Sequence, residues 1–203
     1  METLGSLPLN DMLRRLGSKE PVPGGGAAAG VAGALSAALA SMVVAYSLGR
    51  KSLAEHQEQL SNLDRLLTEV RASLLEFADR DAEAYAGLNE LWSLPKDDPK
   101  RVEKWDAALD LAITVPTGIM EAGNELLSIY EKLAPICNKN LLSDLAGAAS
   151  LAEACIKSAG QNVRVNAGML EDRARRVDIL DDLARRRETA AERCASIENA
   201  CGS

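Results

Sequence analysis

The chain is poor in the residues on which several common enzyme classes depend. Its 203 residues include one histidine, His56, in the polar run Glu55-His56-Gln57-Glu58. A mechanism of the serine, histidine and aspartate type is therefore not expected. The four cysteines are widely spaced and form no CxxC or cysteine and histidine pair, which argues against a zinc site; they are Cys137, Cys155, Cys194 and Cys201. We predict reduced, buried or incidental thiols and no bound metal.

Aromatic residues are also scarce, at 3% of the chain against 47% hydrophobic residues. A core of this size with few rings must be filled by Leu, Ala, Val and Ile, which favours closely packed helices over a β-sandwich. No strand-like alternation of useful length occurs. The sequence predicts one all-α domain over residues 1 to 203, a bundle of long helices.

The charge balance excludes another class of partner. A net charge of −7 and a pI near 4.9 argue against nucleic acid. The arginines at 173 to 176 and 185 to 187 alternate with acidic residues and indicate a solvated helix face. No charged leader precedes an early apolar run, so with free cysteines the predicted location is the cytoplasm.

Formal charge is absent from residues 21 to 49, a stretch long enough to span a bilayer. Alanine, glycine and serine dominate it, and Gly26, Gly30, Gly33 and Ala37 recur at a spacing that favours close helix contact. We therefore predict no membrane insertion but a central buried helix or a subunit contact, and a homodimer.

Hydrophobic periodicity predicts further helices near residues 7 to 16, 52 to 92, 100 to 133, 143 to 169 and 171 to 199. Pro116 is expected to kink or break the third of these. In the helix over 52 to 92, Asp81 occupies an apolar position between Phe77 and Ala84. A buried carboxylate needs a partner or a task, and the alternatives are an ion pair with an arginine of the last helix or a functional role.

The segment Pro21-Val22-Pro23-Gly24-Gly25-Gly26 runs directly into the uncharged stretch. Three glycines can adopt positive φ and lie close to a bound group, and the free N–H groups of a helix start favour anions. The structural alternative is a flexible entry to a buried helix.

Several motifs in order resemble the formiminotetrahydrofolate cyclodeaminase and methenyltetrahydrofolate cyclohydrolase family, over roughly residues 5 to 170. The motifs are the glycine segment with its small-residue helix, Asp79-Arg80-Asp81-Ala82-Glu83-Ala84-Tyr85, Leu94-Pro95-Lys96, Val115-Pro116, Asn138-Lys139-Asn140-Leu141-Leu142-Ser143-Asp144 and Asn162-Val163-Arg164-Val165-Asn166. One departure is Ala27, where the family usually has serine.

The resemblance implies a tetrahydrofolate derivative as substrate and no cofactor. Asp81 or Asp144 is then expected to take a proton from water that attacks the methenyl carbon, while the other orients the water or carries a proton to the leaving nitrogen. The implied substrate-binding residues are Pro23, Gly24, Gly25, Gly26, Arg50, Lys96, Lys139, Asn140, Ser143, Asn162, Arg164 and Asn166.

Other interpretations of these residues stay open. Asp144 follows Ser143 near a helix start and suits a capping role. The cations Arg50, Lys96 and Lys139 are either loop residues or a site for the glutamate tail of a folate. The chain is expected to hydrolyse methenyltetrahydrofolate, with cyclodeaminase activity as the alternative. A silent helical dimer that binds a folate or a partner helix is the third possibility, motivated by Ala27.

Overall fold

The computed structural model describes residues 3 to 202, which fold into six α-helices with no strand among them. The helices are α1 (Leu9–Leu16), α2 (Gly25–Ala45), α3 (Gln57–Trp92), α4 (Pro99–Leu133), α5 (Leu142–Ala167) and α6 (Arg173–Cys201). Short 3-10 helices cover Leu4–Ser6, Lys51–His56 and Lys139–Leu141. The predicted all-α class is confirmed.

Local signals explain where two of the long helices begin. Asp98 accepts hydrogen bonds from the N–H groups of Lys100 and Arg101, and Pro99 occupies the first position of α4. Asp172 caps α6 in the same way, accepting from the N–H of Arg175. These caps satisfy donors that a helix start leaves free, so both starts lie within two residues of the prediction.

Helix α2 lies against α3 on one side and α5 on another, and its small residues make this close packing possible. A Cβ atom at Gly30 would lie 2.8 Å from the Leu74 carbonyl oxygen, and one at Gly33 would lie 2.9 Å from Cys155 Sγ. The stripe of small residues therefore packs inside the chain. Its interpretation as a subunit contact was wrong, because these positions have no exposed surface to offer a second copy.

By length and composition, α2 is the one helix of residues 3 to 202 that could cross a membrane. Within this fold 56% of its apolar stretch is buried in the protein. Its inner face is occupied by α3 and α5, as expected for the core helix of a bundle.

Two predicted apolar faces are shifted around their helices. On α3, Ala78 and Ala82 are buried where Phe77 and Ala84 were expected, so Asp81 lies at the edge of the buried stripe. On α6 the sequence pattern predicts an apolar face of Val177, Leu180, Ala184, Ala191, Cys194 and Ile197. The buried residues are instead Leu183, Ala190, Cys194 and Ile197, and Val177 and Ala184 are exposed. A straight helix drifts relative to a fixed heptad repeat, which moves the buried face along helices of this length.

Of the two predicted effects of Pro116, a kink or a break, the structure excludes the break, because α4 is continuous from Pro99 to Leu133. Pro116 is buried, and packing against neighbouring helices keeps the helix intact. A proline has no N–H to donate, so Pro116 cannot make the usual helical hydrogen bond to the carbonyl group of Ala112.

A buried hydrogen-bond chain joins α2, α4 and α5 in the core. Ser36 Oγ donates to the Ala148 carbonyl oxygen at 2.6 Å and lies 2.7 Å from Tyr130 Oη. Since the single hydroxyl proton of Ser36 goes to Ala148, the Tyr130 hydroxyl donates to Ser36. Burial raises the pKa of the Tyr130 hydroxyl, so this group stays protonated and can act as the donor.

Candidate active site

The carboxylate of Asp81 lies directly against the first turn of α2. A Cβ atom built at Gly26 would be 2.2 Å from Asp81 Oδ1 and 2.4 Å from both Cγ and Oδ2. No side chain fits between α2 and this carboxylate. Gly26 is therefore required because α3 brings Asp81 into contact with its backbone.

The start of α2 stabilises this carboxylate through the N–H of Ala27, which donates a hydrogen bond to it. Burial raises the pKa of Asp81 above its ordinary value, and the Ala27 bond opposes this only in part. Among residues 3 to 202, no lysine or arginine forms an ion pair with Asp81. The ion pair with an arginine of α6 was therefore a wrong alternative, and a carboxyl group with a raised pKa suits proton transfer.

The glycine segment reaches this arrangement without the positive φ that the sequence led us to expect. Of the glycines at 3 to 202, Gly49 alone has a positive φ, +74°, whereas Gly24 has a φ of −121° and Gly25 begins the helix. Close approach of Asp81 explains the need for Gly26. The helix start is moreover already next to an anion, the side chain of Asp81 itself.

A cavity of about 340 Å³ opens beside Asp81, a size within the usual range for small-molecule sites. It is lined by Pro21, Val22, Gly24, Gly25, Asp81, Ala82, Tyr85, Ala112, Gln161, Asn162, Val165 and Asn166. Five of the predicted site residues thus meet here. Tyr85 and Gln161 were missed, although Tyr85 lies one helical turn after Asp81 and Gln161 precedes Asn162.

The two asparagines offer oxygen atoms to this cavity. Asn166 Nδ2 donates to the Ala112 carbonyl oxygen at 2.6 Å, and Asn162 Nδ2 donates to the Ser158 carbonyl oxygen at 3.2 Å. A carbonyl oxygen only accepts, so each bond uses one of the two N–H groups of its amide nitrogen and leaves the Oδ1 atom available as an acceptor. With the Asp81 carboxylate, the cavity presents three acceptors and suits a ligand that is cationic or rich in N–H groups.

Ala27, the departure from the family serine, does not line this cavity. Its side chain is fully buried at 0% exposure, and its contribution to the site is the backbone N–H that bonds Asp81. The chain therefore loses no side-chain contact with a ligand in this cavity through the alanine.

A second group of predicted residues lies at the opposite end of the bundle. Helices α2 and α5 are antiparallel, since Gly25 neighbours Asn162 whereas Asn138 donates its N–H to Ser47 Oγ at 2.8 Å. Asp144 is in the first turn of α5, about 27 Å along the helix from Asn162 at 1.5 Å per residue. This second cluster comprises Arg50, Lys139, Asn140, Ser143 and Asp144. In one chain, Asp81 and Asp144 do not share a cavity.

The loop that carries the second cluster is fixed by Asn138. This buried side chain accepts from the N–H of Asn140 at 3.2 Å and donates to the Tyr46 carbonyl oxygen at 3.5 Å. Lys139 Nζ donates to the Ala134 carbonyl oxygen at the end of α4. Lys139, Asn140 and Ser143 are exposed and able to contact another molecule.

Three other predicted binding residues lie outside the cavity. Lys96 lines a separate surface hollow with Arg101 and Trp105, among others, and Arg164 is exposed on α5. Pro23 is buried and borders a small hollow with Asp79. Over residues 3 to 202, no group of three His, Cys, Asp or Glu side chains is arranged to hold a metal ion. The four cysteines are free, as predicted.

Comparison with known proteins decides the family. The family model described as formiminotransferase-cyclodeaminase matches residues 8–185. The chain belongs to this family of enzymes. A methenyltetrahydrofolate cyclohydrolase of Methylorubrum extorquens is 35% identical over 174 residues, which are 84% of each protein. The resemblance predicted from the motifs is confirmed.

Two further similar proteins are named for the cyclodeaminase, and only one of them is much longer than this chain. The formimidoyltransferase-cyclodeaminase of Mus musculus is 32% identical over 81% of this chain, but the match spans only 31% of the mouse protein. A solved structure described as formiminotetrahydrofolate cyclodeaminase from Thermotoga maritima has a TM-score of 0.85 and 26% identity, and the match covers 98% of this chain and 100% of that one. The family thus includes proteins of this size named for either activity.

Proposed function

We propose that this family member hydrolyses 5,10-methenyltetrahydrofolate to 10-formyltetrahydrofolate. The observation that supports it is the acceptor-lined cavity beside Asp81, in a chain 35% identical to a cyclohydrolase over nearly its whole length. The substrate carries a cationic carbon between N5 and N10. A carboxylate at this carbon stabilises the cation, and the Oδ1 atoms of Asn162 and Asn166 accept hydrogen bonds from the reduced pterin ring. At about 340 Å³, the cavity suits the bicyclic ring and leaves the benzoylglutamate tail outside.

Asp81 has the properties that the proton transfers require. Its carboxylate takes a proton from the water as the oxygen bonds to the methenyl carbon. The tetrahedral intermediate then opens: the bond from carbon to N5 breaks, N5 receives the proton held by Asp81, and the hydroxyl loses its proton to become the formyl oxygen. One proton is released overall. The raised pKa favours this exchange, because a carboxyl group is most effective when its pKa lies near the working pH.

The second candidate is the cyclodeaminase reaction, which the structural match to the Thermotoga maritima protein favours. There N10 attacks a formimino carbon and ammonia leaves, and the protonated form of Asp81 would deliver a proton to the leaving nitrogen. In both reactions the reacting atom is the one-carbon group of the folate, which would occupy the same position in the cavity.

The purified protein distinguishes these functions. Loss of the methenyl absorbance is followed with 5,10-methenyltetrahydrofolate, and ammonia release with 5-formiminotetrahydrofolate, with Asp81→Asn as the control for uncatalysed reaction. We expect hydrolysis of the methenyl compound to be the faster reaction. Faster ammonia release would favour the cyclodeaminase, and folate binding without turnover of either compound would favour a silent binding protein.

We further propose a homodimer in which the second cluster of one chain completes the cavity of the other. The support is the outer face of α2, which is uncharged along its whole length and partly or fully exposed at Ala28, Val31, Leu35, Ala38, Met42, Ala45 and Tyr46. A two-fold interface pairs identical surfaces. If two α2 helices pair antiparallel about Leu35, the midpoint of Gly25–Ala45, Gly25 faces the partner end of α2.

This pairing would bring the second cluster of the partner subunit beside the glycine segment. Arg50 and Lys139 would then be available to the glutamate tail, and Asp144 to the reacting water. Mixing the variants Asp81→Asn and Asp144→Asn tests the idea. After random exchange of equal amounts, about half of the dimers contain one chain of each variant. Each such dimer has one site with both substitutions and one intact site, so about a quarter of wild-type activity should return. No recovery after verified exchange would mean that each site belongs to a single chain.

Cytoplasmic location and the absence of a cofactor stay part of this proposal. Four free cysteines, three of them buried, are compatible with a reducing compartment. The proposed hydrolysis needs only water and groups that transfer protons.

A further inference from the structure

Pro116 creates a hydrogen-bonding vacancy inside α4. In a regular helix, the carbonyl oxygen of residue 112 accepts from the N–H of residue 116, and a proline has no N–H. Ala112 is 4% exposed, so bulk solvent has little access to this residue. A buried carbonyl left without a donor is costly, and another part of the protein has to supply one.

The donor comes from α5. Asn166 Nδ2 bonds to the Ala112 carbonyl oxygen at 2.6 Å, across 54 residues of sequence. Ala112 and Asn166 both line the cavity beside Asp81. The bond therefore fixes an amide group in the wall of the cavity, with its nitrogen turned to α4 and its oxygen free to accept from a ligand.

The neighbouring Asn162 is held less firmly. Its Nδ2 donates at 3.2 Å to the Ser158 carbonyl oxygen, one turn earlier in its own helix. That carbonyl already accepts the helical hydrogen bond from the backbone of residue 162, because α5 is continuous there. The Ala112 carbonyl, by contrast, has lost its helical donor to Pro116 and is reserved for Asn166.

We propose that Pro116 is a positioning residue, which withdraws one N–H from α4 so that the Ala112 carbonyl orients Asn166 as a hydrogen-bond acceptor for the ligand. The identity of the ligand group, an N–H of the reduced pterin ring, rests on the proposed function. The positioning itself concerns groups of this chain alone and can be measured without ligand.

The first experiment separates stability from binding in Pro116→Ala. The new N–H competes for the Ala112 carbonyl, so thermal stability should be unchanged or higher, while Asn166 loses its anchor. The KM for 5,10-methenyltetrahydrofolate should rise about threefold to tenfold, the range expected for one net hydrogen bond. Pro99→Ala is the matched control, because a proline at the first position of α4 removes no helical bond, and its KM should equal that of the wild type.

A double-mutant cycle with Asn166→Ala tests whether Pro116 acts through Asn166. In the Asn166→Ala background, Pro116→Ala should change KM by less than a factor of two. Additive effects would overturn the proposal, as would a wild-type KM in Pro116→Ala. Pro116→Ser, which also restores the N–H, replaces Pro116→Ala if the latter does not fold.

The ligand-free measurement is the hydrogen exchange of the Asn166 side-chain amide, followed by NMR. The Nδ2 proton bonded to the Ala112 carbonyl should exchange slowly in the wild type and clearly faster in Pro116→Ala, whereas the exchange of the Asn162 amide protons should not change. Equal exchange rates in both proteins would overturn the positioning role. A protein that shows the expected exchange but neither binds nor turns over folates would leave the positioning role intact and contradict the proposed function.

Discussion

Substituting Gly26 by alanine is the sharpest test of the contact between α2 and Asp81. The added methyl group would lie 2.2 Å from Asp81 Oδ1, and contacts under 3.0 Å are essentially never made. The carboxylate therefore has to retreat by roughly 1 Å, a misplacement that can cost about a hundredfold in rate. The same retreat weakens its hydrogen bond from the N–H of Ala27.

The effect on stability should be small by comparison. Overpacking costs about 1–3 kcal/mol. Replacing glycine by alanine in a helix returns up to about 1 kcal/mol. We therefore expect Gly26→Ala to fold, with a free energy of unfolding lowered by about 0–3 kcal/mol, and to lose about a hundredfold in kcat.

Gly87→Ala is the matched control, because it makes the same exchange within α3 outside the cavity lining. Its methyl group would meet no atom within 4 Å, so kcat and KM should equal those of the wild type. Urea unfolding gives the stability of both variants, and loss of the methenyl absorbance gives kcat and KM. A kcat within threefold of the wild type in a folded Gly26→Ala would refute the reasoning that Asp81 acts from this position.

The remaining predictions concern single groups. Asp81→Asn should lower turnover at least about a hundredfold. In the wild type, the raised pKa of Asp81 means that the folded protein binds the carboxyl proton more tightly than the unfolded chain does. Wild-type stability therefore falls as the pH rises from 3.8 through the raised pKa. The variant should therefore be at least as stable as the wild type at pH 7, with no advantage below the ordinary carboxyl pKa; equal pH profiles would contradict this. In the core, Ser36→Ala strands the Tyr130 hydroxyl and should cost more stability, about 1–3 kcal/mol, than Tyr130→Phe, which leaves Ser36 bonded to Ala148; chemical unfolding should give that order and not its reverse. Leu35→Glu should convert the proposed dimer to a monomer in light scattering, and an unchanged mass would remove α2 as the interface.

The helices could be predicted because their signals are local. Apolar periodicity placed most helix ends within two residues of their observed positions, and the caps that the structure shows at Asp98 and Asp172 are equally local. The exceptions arise from contacts between distant parts of the chain. Pro116 was expected to kink or break α4, but the helix is continuous and the carbonyl that Pro116 leaves free is satisfied by Asn166 from α5. No property of residues near 116 reveals that donor.

The site residues also separate into those with a signal in the sequence and those that depend on contacts between distant parts of the chain. Asp81 could be found because a carboxylate interrupts an apolar repeat, and Asn162 and Asn166 through the family motif. The reason for Gly26 could not, since it depends on where α3 crosses α2. Tyr85, Gln161 and Val165 were missed because they look like ordinary exposed positions of long helices, and only the cavity distinguishes them.

The inner and outer faces of α2 are both uncharged, but the packing inside the chain explains only the inner face. Its inner face consists of small residues because α3 and α5 approach its backbone closely, as the contacts at Gly30 and Gly33 demonstrate. That packing places no demand on the outer face, where charged side chains would cost nothing if water covered it. The outer face is nevertheless uncharged up to Tyr46 and includes Leu35 at 55% exposure. Helices that are apolar all round are typically buried on every side, and the proposed homodimer would cover this outer face and also bring the second cluster to the cavity.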